Sequence, residues 1–341
     1  MNVCSLVGTR PQFLKLAALD NYIQTHNPFD HFIVHSGQHF DSNMSDIFFK
    51  QLNISKPSLT IHRNTKSNIS NLSTIMSTLE CFILENTIDC MIVYGDCDTT
   101  LAGALVANKL GIKLVHIEAG MRSYNKNMPE ENNRVLTDHL SDILLCPDSR
   151  SLENLNKENI YNNIKVVGNL QIELINNILK KTGNNKPFSN YGLLTIHRDY
   201  NTNECFLKKI FEDLSNIDKP FLFPVHPRTR KIIESNDIKT PQNVYLNDPY
   251  DYIEMLSMLN GCDFVITDSG GLQLESWYLD KKCIVMRSET EWKEPIKSGN
   301  SILYDRETKL DQFIQSFLEI ETKYKYNLPV NTSELICKSI I

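Results

Sequence analysis

Nowhere in these 341 residues does an apolar run reach the roughly 18 residues from which a membrane-spanning helix is built. The opening, MNVCSLVGTRPQ, lacks the basic stretch and apolar core of a secretory leader, so a cytoplasmic setting is expected. Excess positive charge is missing as well: 35 Lys and Arg stand against 41 Asp and Glu, a formal charge of −6. That balance argues against nucleic acid or an anionic membrane as partner, while leaving room for local basic clusters that grip phosphate. Nine cysteines, an odd number, show neither CxxC nor a Cys/His metal spacing. Cys4, Cys90, Cys146 and Cys283 fall in or beside strand-like runs, and reduced, buried, inert thiols are the expected reading. Short-period repeats are absent too.

What is present is an alternation of short apolar runs with amphipathic stretches, the pattern of βα units in a parallel sheet. Strands are predicted over Asn2–Val7, His31–His35, Met91–Tyr94, Lys113–Ile117, Ile143–Cys146 and Ile164–Val167, with helices over Gln12–Gln24, Ser42–Gln51, Asn71–Glu85, Thr100–Leu110 and Glu131–Leu140. A polar stretch, Lys180–Tyr191, reads as a hinge. A second strand series follows over Gly192–Ile196, Phe221–Val225, Val244–Leu246, Phe264–Thr267 and Cys283–Met286. The length suits two domains of about 150 residues each. The expected fold is therefore α/β, two doubly wound Rossmann-like domains, 1–182 and 183–320, with the ligand in a central cleft. An amphipathic helix over Leu310–Tyr324 is expected to cross back to the first domain, and residues 321–341 form a tail returning there.

Asp96 follows the run Met91–Tyr94 and Glu118 follows Leu114–Ile117, so both carboxylates stand just past strand carboxyl ends, where open α/β sheets bind ligands. A third acid, Glu130, lies in the PEE that opens the next helix. Acids gathered on a ligand point to proton transfer. The bland alternative makes Glu130 and Glu131 complements to a helix N-terminus and Arg134 an (i, i+4) partner of Glu130. In the second half, Thr267-Asp268-Ser269-Gly270-Gly271 leaves a strand and opens a helix, so backbone N–H groups there can approach an anion. A plain turn capped by Asp268 or Ser269 is the alternative. Arg10, at the end of the first strand, carries a fork suited to phosphate or carboxylate; Lys15 joins it one turn into the helix or is a solvated lysine. His197 and His226 end consecutive strands with Arg198, Arg228 and Arg230 nearby, which favours an anion site. For His35, His39 and His116 a role without chemistry is favoured.

In order along the chain stand GTRPQFLK, SGQHFDSNMSDIFF, GDCDTTLAGAL, HIEAGMRS, MPEENNR, TDHLSD, TIHR, PVHPRT, DSGGLQLES and TEWKE. The series, from Gly8 to Glu294, resembles the non-hydrolysing UDP-N-acetylglucosamine 2-epimerases. The resemblance implies a two-domain architecture like that of B-type glycosyltransferases, with UDP held mainly by the second domain. It also implies a UDP-sugar substrate, no cofactor, no metal, a homodimer through the first domain, and a product used in polysaccharide biosynthesis. The implied reaction inverts carbon 2 by eliminating UDP to a glycal-like intermediate and adding it back after reprotonation from the other face. Asp96, Glu118 and Glu130 match the essential acids, with Lys15 and Arg134 as charge partners. Arg10, His197 and the Ser269-Gly270-Gly271 segment match the groups around the diphosphate, His226 is counted with the UDP-binding residues, and Glu275 matches the ribose ligand.

Departures from the common pattern bear on substrate and regulation. Gln12 replaces the commoner Glu of GTRPE, and Trp292 stands where arginine is frequent. With MPEENNR, these features are similar to the branch acting on UDP-2,3-diacetamido-2,3-dideoxy-glucuronic acid. The intact HIEAGMRS favours the non-hydrolysing reaction over a hydrolase that releases N-acetylmannosamine, and the set of acids disfavours a glycosyltransferase. Relatives activated by their own substrate carry a QHRQ-type element, whereas this chain has Gln38-His39-Phe40-Asp41. The expected outcome is weak or absent substrate activation; strongly sigmoidal initial rates, abolished by added UDP-N-acetylglucosamine, would contradict it.

Overall fold

The computed structural model describes residues 1–38, 48–62, 67–182, 187–290, 292–325, 329 and 331–341. Expectations attached to His39 and Asp41, and to the first part of the Ser42–Gln51 helix, lie outside the described residues. The chain divides into two compact units, Met1–Asn176 with Leu328–Ile341, and Asn177–Asn327. The division falls inside a helix, Leu170–Thr182, ahead of the expected Lys180–Tyr191 hinge.

In the first unit the strands are β1 (Asn2–Val7), β2 (Asp30–His35), β3 (Leu59–Thr60), β4 (Cys90–Tyr94), β5 (Lys113–Ile117), β6 (Ile143–Cys146) and β7 (Ile164–Val166). They form one parallel sheet in the order β3-β2-β1-β4-β5-β6-β7. Residues such as Cys4, Leu6, Met91 and Val93 are fully buried because helices cover both faces, so these strands read as continuous apolar runs. The helices are α1 (Arg10–His26), α2 (Asn68–Glu85), α3 (Asp98–Leu110), α4 (Pro129–Leu140), α5 (Ser149–Lys157) and α6 (Leu170–Thr182). Strand order reverses between β1 and β4, which makes their carboxyl ends the switch point where such sheets take ligands.

The second unit repeats the plan with β8 (Gly192–Thr195), β9 (Phe221–Pro224), β10 (Val244–Asn247), β11 (Phe264–Thr267), β12 (Lys282–Val285) and β13 (Ser301–Leu303), in the order β10-β9-β8-β11-β12-β13. Here the switch point lies between β8 and β11. Its helices are α7 (Glu204–Ser215), α8 (Pro227–Ser235), α9 (Tyr252–Gly261), α10 (Gly270–Tyr278), the short α11 (Lys293–Lys297) and α12 (Leu310–Leu318). The amphipathic segment expected to return to the first domain does not do so. It is α12, and its buried Leu310, Phe313, Ile314 and Phe317 complete the second unit's own core with Phe211, Phe221 and Phe264. The helix that packs on the first unit is α13 (Thr332–Ile340), against α1 and β6. Glu173 accepts a hydrogen bond from the Ser333 amide at 2.7 Å, and Lys113 donates to the Ile340 carbonyl at 3.1 Å.

All nine cysteines are free. Burial pushes the Cys90, Cys146 and Cys283 thiols up to about 12, as befits inert packing groups. No helix among the described residues is long and apolar enough to cross a membrane.

The first switch point depends on close packing of α3. At Gly103 an added Cβ would lie 2.7 Å from Val93 Cγ1 and 2.8 Å from Leu6 Cδ2. Gly103→Val is expected to destabilise the protein by about 1–3 kcal/mol, the usual scale of overpacking, read as a lower urea midpoint with an unchanged slope.

Candidate functional site

At the first switch point the loop after β1 becomes α1 at Thr9-Arg10-Pro11. Proline fits the first helical turn because it has no N–H to lose there. Gln12, 3% exposed, holds this loop to the one after β4. Its Oε1 accepts from the Gly8 and Thr9 amides at 2.8 and 3.2 Å, and its Nε2 donates to the Tyr94 carbonyl at 2.8 Å and Thr100 Oγ1 at 3.1 Å. A carboxamide can both accept and donate here, whereas an ionised carboxylate could only accept. One turn on, Lys15 is buried and its ammonium binds Glu118 Oε2. Glu118 adopts φ +70°, a left-handed conformation that costs a non-glycine residue about 1 kcal/mol or more and turns the chain sharply off β5. Gly95, with φ +65°, leaves room for the pair: a Cβ there would sit 3.3 Å from Glu118 Oε2 and 3.7 Å from Lys15 Nζ.

Asp96 meets Arg134 from α4, and Arg134 also donates to Glu131 at 2.9 Å. The bland alternative, an (i, i+4) pair of Arg134 with Glu130, is not formed. The neighbouring Asn133 donates to the Asp96 carbonyl at 3.0 Å and to Asp98 Oδ1 at 3.2 Å. The two glutamates of PEE divide their work. Glu131, 4% exposed, accepts from the Ser123 and Tyr124 amides at 2.9 and 2.7 Å. Burial would raise its pKa, but those amides, the Ser123 hydroxyl and Arg134 bring it below the ordinary value. Glu130 is half-buried and makes no hydrogen bond or ion pair among the described residues. The loop ends of β4 and β5 and the first turn of α4 thus carry Asp96, Glu118 and Glu130, with Lys15 and Arg134 each on a carboxylate. Arg10 sits at the exposed start of α1.

The second switch point is organised by a residue that the sequence reading treated only as a possible cap. Asp268 is fully buried and accepts from the His197 amide at 3.0 Å, the Arg198 amide at 2.9 Å, Asn201 Nδ2 at 3.0 Å and His197 Nδ1 at 3.0 Å. Burial opposes its charge, yet His197, Asn201 and the Arg198 amide hold its carboxyl below the usual range. With Nδ1–H committed to Asp268, His197 presents Nε2 outward, and its side chain is 39% exposed. His226 does the reverse: its Nδ1 accepts from the Arg228 amide at 3.2 Å, capping α8, which leaves Nε2–H outward. Burial, then His197 and Arg228, push His226 below its ordinary pKa, so the neutral ring prevails at pH 7. The two rings lie 6.3 Å apart.

Ser269 caps α10, its Oγ accepting from the Leu272 amide at 3.4 Å, as the cap alternative has it. A Cβ on Gly271 would meet nothing nearer than Ser269 Oγ at 3.9 Å, so protein packing does not require glycine at this exposed helix start. Open space over backbone N–H groups is what a bound phosphate needs. Glu275, 6% exposed, accepts from the Tyr252 hydroxyl at 3.1 Å. Of the arginines grouped with the histidines, Arg228 pairs with Asp199 at 2.6 Å and Arg230 with Asp248 at 3.1 Å, whereas the Arg198 side chain makes no ion pair among the described residues. Trp292 precedes α11, and its amide donates to Thr290 Oγ1, itself bound to the buried Gln273.

Two parallel, doubly wound units with charged loops at each switch point define an α/β protein of the kind built like B-type glycosyltransferases. A family model described as UDP-N-acetylglucosamine 2-epimerase matches residues 21–333. Among curated relatives, the UDP-2,3-diacetamido-2,3-dideoxy-D-glucuronate 2-epimerase of Pseudomonas aeruginosa is 39% identical over 315 residues, covering 89% of this chain and 88% of its own. A UDP-N-acetylglucosamine 2-epimerase homolog of Methanococcus maripaludis is 36% identical over 356 residues, covering 98% of both. The crystal structure of the Methanocaldococcus jannaschii UDP-GlcNAc 2-epimerase in complex with UDP-GlcNAc and UDP aligns at a TM-score of 0.81 and 32% identity, over 100% of this chain and 99% of that one. The chain belongs to the UDP-N-acetylglucosamine 2-epimerase family and is an isomerase.

Because the Asp268 pKa is depressed in the fold, its contribution to stability is complete above the ordinary carboxylate range and is lost as pH falls through the folded value. Asp268→Asn should cost about 1–3 kcal/mol at neutral pH, the scale for hydrogen bonds to a buried charge. Urea titrations should show the deficit shrinking as pH falls below the ordinary carboxylate range; a constant deficit would mean that the charge contributes nothing.

Proposed function

We propose that this chain interconverts UDP-N-acetylglucosamine and its carbon-2 epimer without net hydrolysis. The observation that carries the reading is the pair of cation-bound carboxylates at one switch point, Lys15 with Glu118 and Arg134 with Asp96. A base takes the proton at carbon 2, the C1–O bond breaks, and its electron pair leaves with UDP while C1=C2 forms. Reprotonation of carbon 2 from the opposite face and return of UDP to carbon 1 complete the inversion. Asp96, Glu118 and Glu130 are the groups that move the proton, as base and acid. The proton at carbon 2 is weakly acidic, so the departing diphosphate must be neutralised as it leaves. Arg10, His197, His226 and the Ser269-Gly270-Gly271 amides take that role, and Glu275 accepts hydrogen bonds from the ribose. His197, oriented by Asp268, is supported as an Nε2 ligand by its committed Nδ1.

A second substrate has its own support: the Pseudomonas relative at 39% identity is named for UDP-2,3-diacetamido-2,3-dideoxy-D-glucuronate. The resemblance supports a cytoplasmic homodimer feeding polysaccharide synthesis.

The test is incubation with each UDP-sugar in deuterated water, followed by NMR at the anomeric and carbon-2 protons. Deuterium at carbon 2 with the nucleotide bond intact is expected for one of the two. Free sugar would indicate a hydrolase, and no exchange with either would overturn the reading. Asp96→Asn and Glu118→Gln should each abolish exchange, lowering it about a hundredfold or more, with UDP affinity largely retained.

A further inference from the structure

His116 lies on β5, two positions before Glu118, and its side chain is fully buried. Its Nε2 is 2.7 Å from the Gly95 carbonyl oxygen, and its Nδ1 is 2.7 Å from Asp138 Oδ1. A peptide carbonyl only accepts, so Nε2 must donate. Asp138, also fully buried, already accepts at Oδ2 from the Gly120 amide at 3.1 Å and from Arg122 at 2.7 Å. Arg122 continues to Glu158 through two hydrogen bonds of 2.7 and 2.6 Å, and His139 approaches the same Glu158 at 3.7 Å. With Asp138 as a carboxylate, neither neutral tautomer of His116 satisfies both neighbours; only a ring with both protons does.

A second histidine in the same unit shows the contrast. His31 also binds an aspartate, Asp20, at 2.9 Å, but its Nε2 meets the Ser5 hydroxyl, which donates or accepts as required. A neutral His31 ring is therefore fully satisfied. The Asp138 carboxylate is shared between His116 and Arg122, and Arg122 continues to Glu158, whose side chain is partly exposed.

We propose that His116 is a buried imidazolium that serves as a positioning residue for the acid array. It holds the Gly95 carbonyl, which fixes the peptide leading into Asp96, and it carries its positive charge on the strand that leads into Glu118. The groups facing this charge are Asp138 from α4, Arg122 from the loop after β5, the Gly95 carbonyl from the loop after β4, and the Lys15–Glu118 pair nearby. The functional part rests on Asp96 and Glu118 being the proton-transfer acids; the protonation of the ring does not.

Two measurements test it on the full-length protein. In ¹⁵N-labelled wild-type protein, the His116 ring nitrogens should both show the protonated signature at neutral pH. A bare ring nitrogen at neutral pH, with the proton on Asp138, would overturn the proposal, and this spectrum needs no variant to fold. His116→Gln should lower kcat for carbon-2 exchange about tenfold or more while leaving UDP affinity within about twofold. It should also move the acidic limb of the kcat–pH profile upward, because a carboxylate that loses a neighbouring cation is protonated more easily. A fall in kcat with the limb unmoved would reduce His116 to packing and sink its electrostatic role. Absence of exchange in the wild type would instead remove the proposed function and leave the ring spectrum to stand by itself.

Discussion

Each sheet reverses its strand order once, and at that place two loops diverge with no strand to fill the gap above them. The constraint is that the exposed peptide groups and charges at such a gap need fixed polar partners. In the first unit Gln12 supplies them, accepting from the loop after β1 and donating to the loop after β4. In the second unit Asp268 does the same work for the loop after β8, gathering two amides, an imidazole and a carboxamide on one buried carboxylate. Those two side chains tie the loops at each switch point together through hydrogen bonds that core packing does not supply.

Around these anchors the charged groups are arranged in layers. Lys15, Arg134 and Glu131 contact or flank the acids directly. Beneath them, His116, Asp138, Arg122 and Glu158 form a buried chain that ties β5 to α4 and to the end of α5. A buried charge is tolerated when it is hydrogen-bonded as well as paired, and both Asp138 oxygens and all three Arg122 nitrogens are hydrogen-bonded. Their value is in geometry: a carboxylate for proton transfer must be held to within a fraction of an ångström, and a folded loop does not achieve that by itself.

Much of this was legible in the chain. Apolar runs located the central strands, and the residues that follow them, Asp96, Glu118, His197 and Ser269, stand where the fold exposes strand ends. Short edge strands such as β3 and β13 carried too few residues to register. The destination of α12 was misread because an amphipathic face announces that a helix is buried and says nothing about where. Asp268 and His116 were assigned minor roles, although each sat in a motif already singled out, Asp268 in DSGG and His116 in HIEAG. The usable signal was a polar residue inside an otherwise apolar strand end, which requires a partner once it is buried.

The sequence by itself determined the α/β plan, the two strand series and the identity of the charged residues at the strand ends, because these follow from local periodicity. Only the tertiary structure decided the partnerships: Arg134 with Asp96 rather than Glu130, Glu131 as the loop's anchor, Asp268 behind His197, and His116 between two acceptors. Those partners come from elements far apart in the chain, and which of them meet is set by strand order and helix packing, which no local pattern encodes.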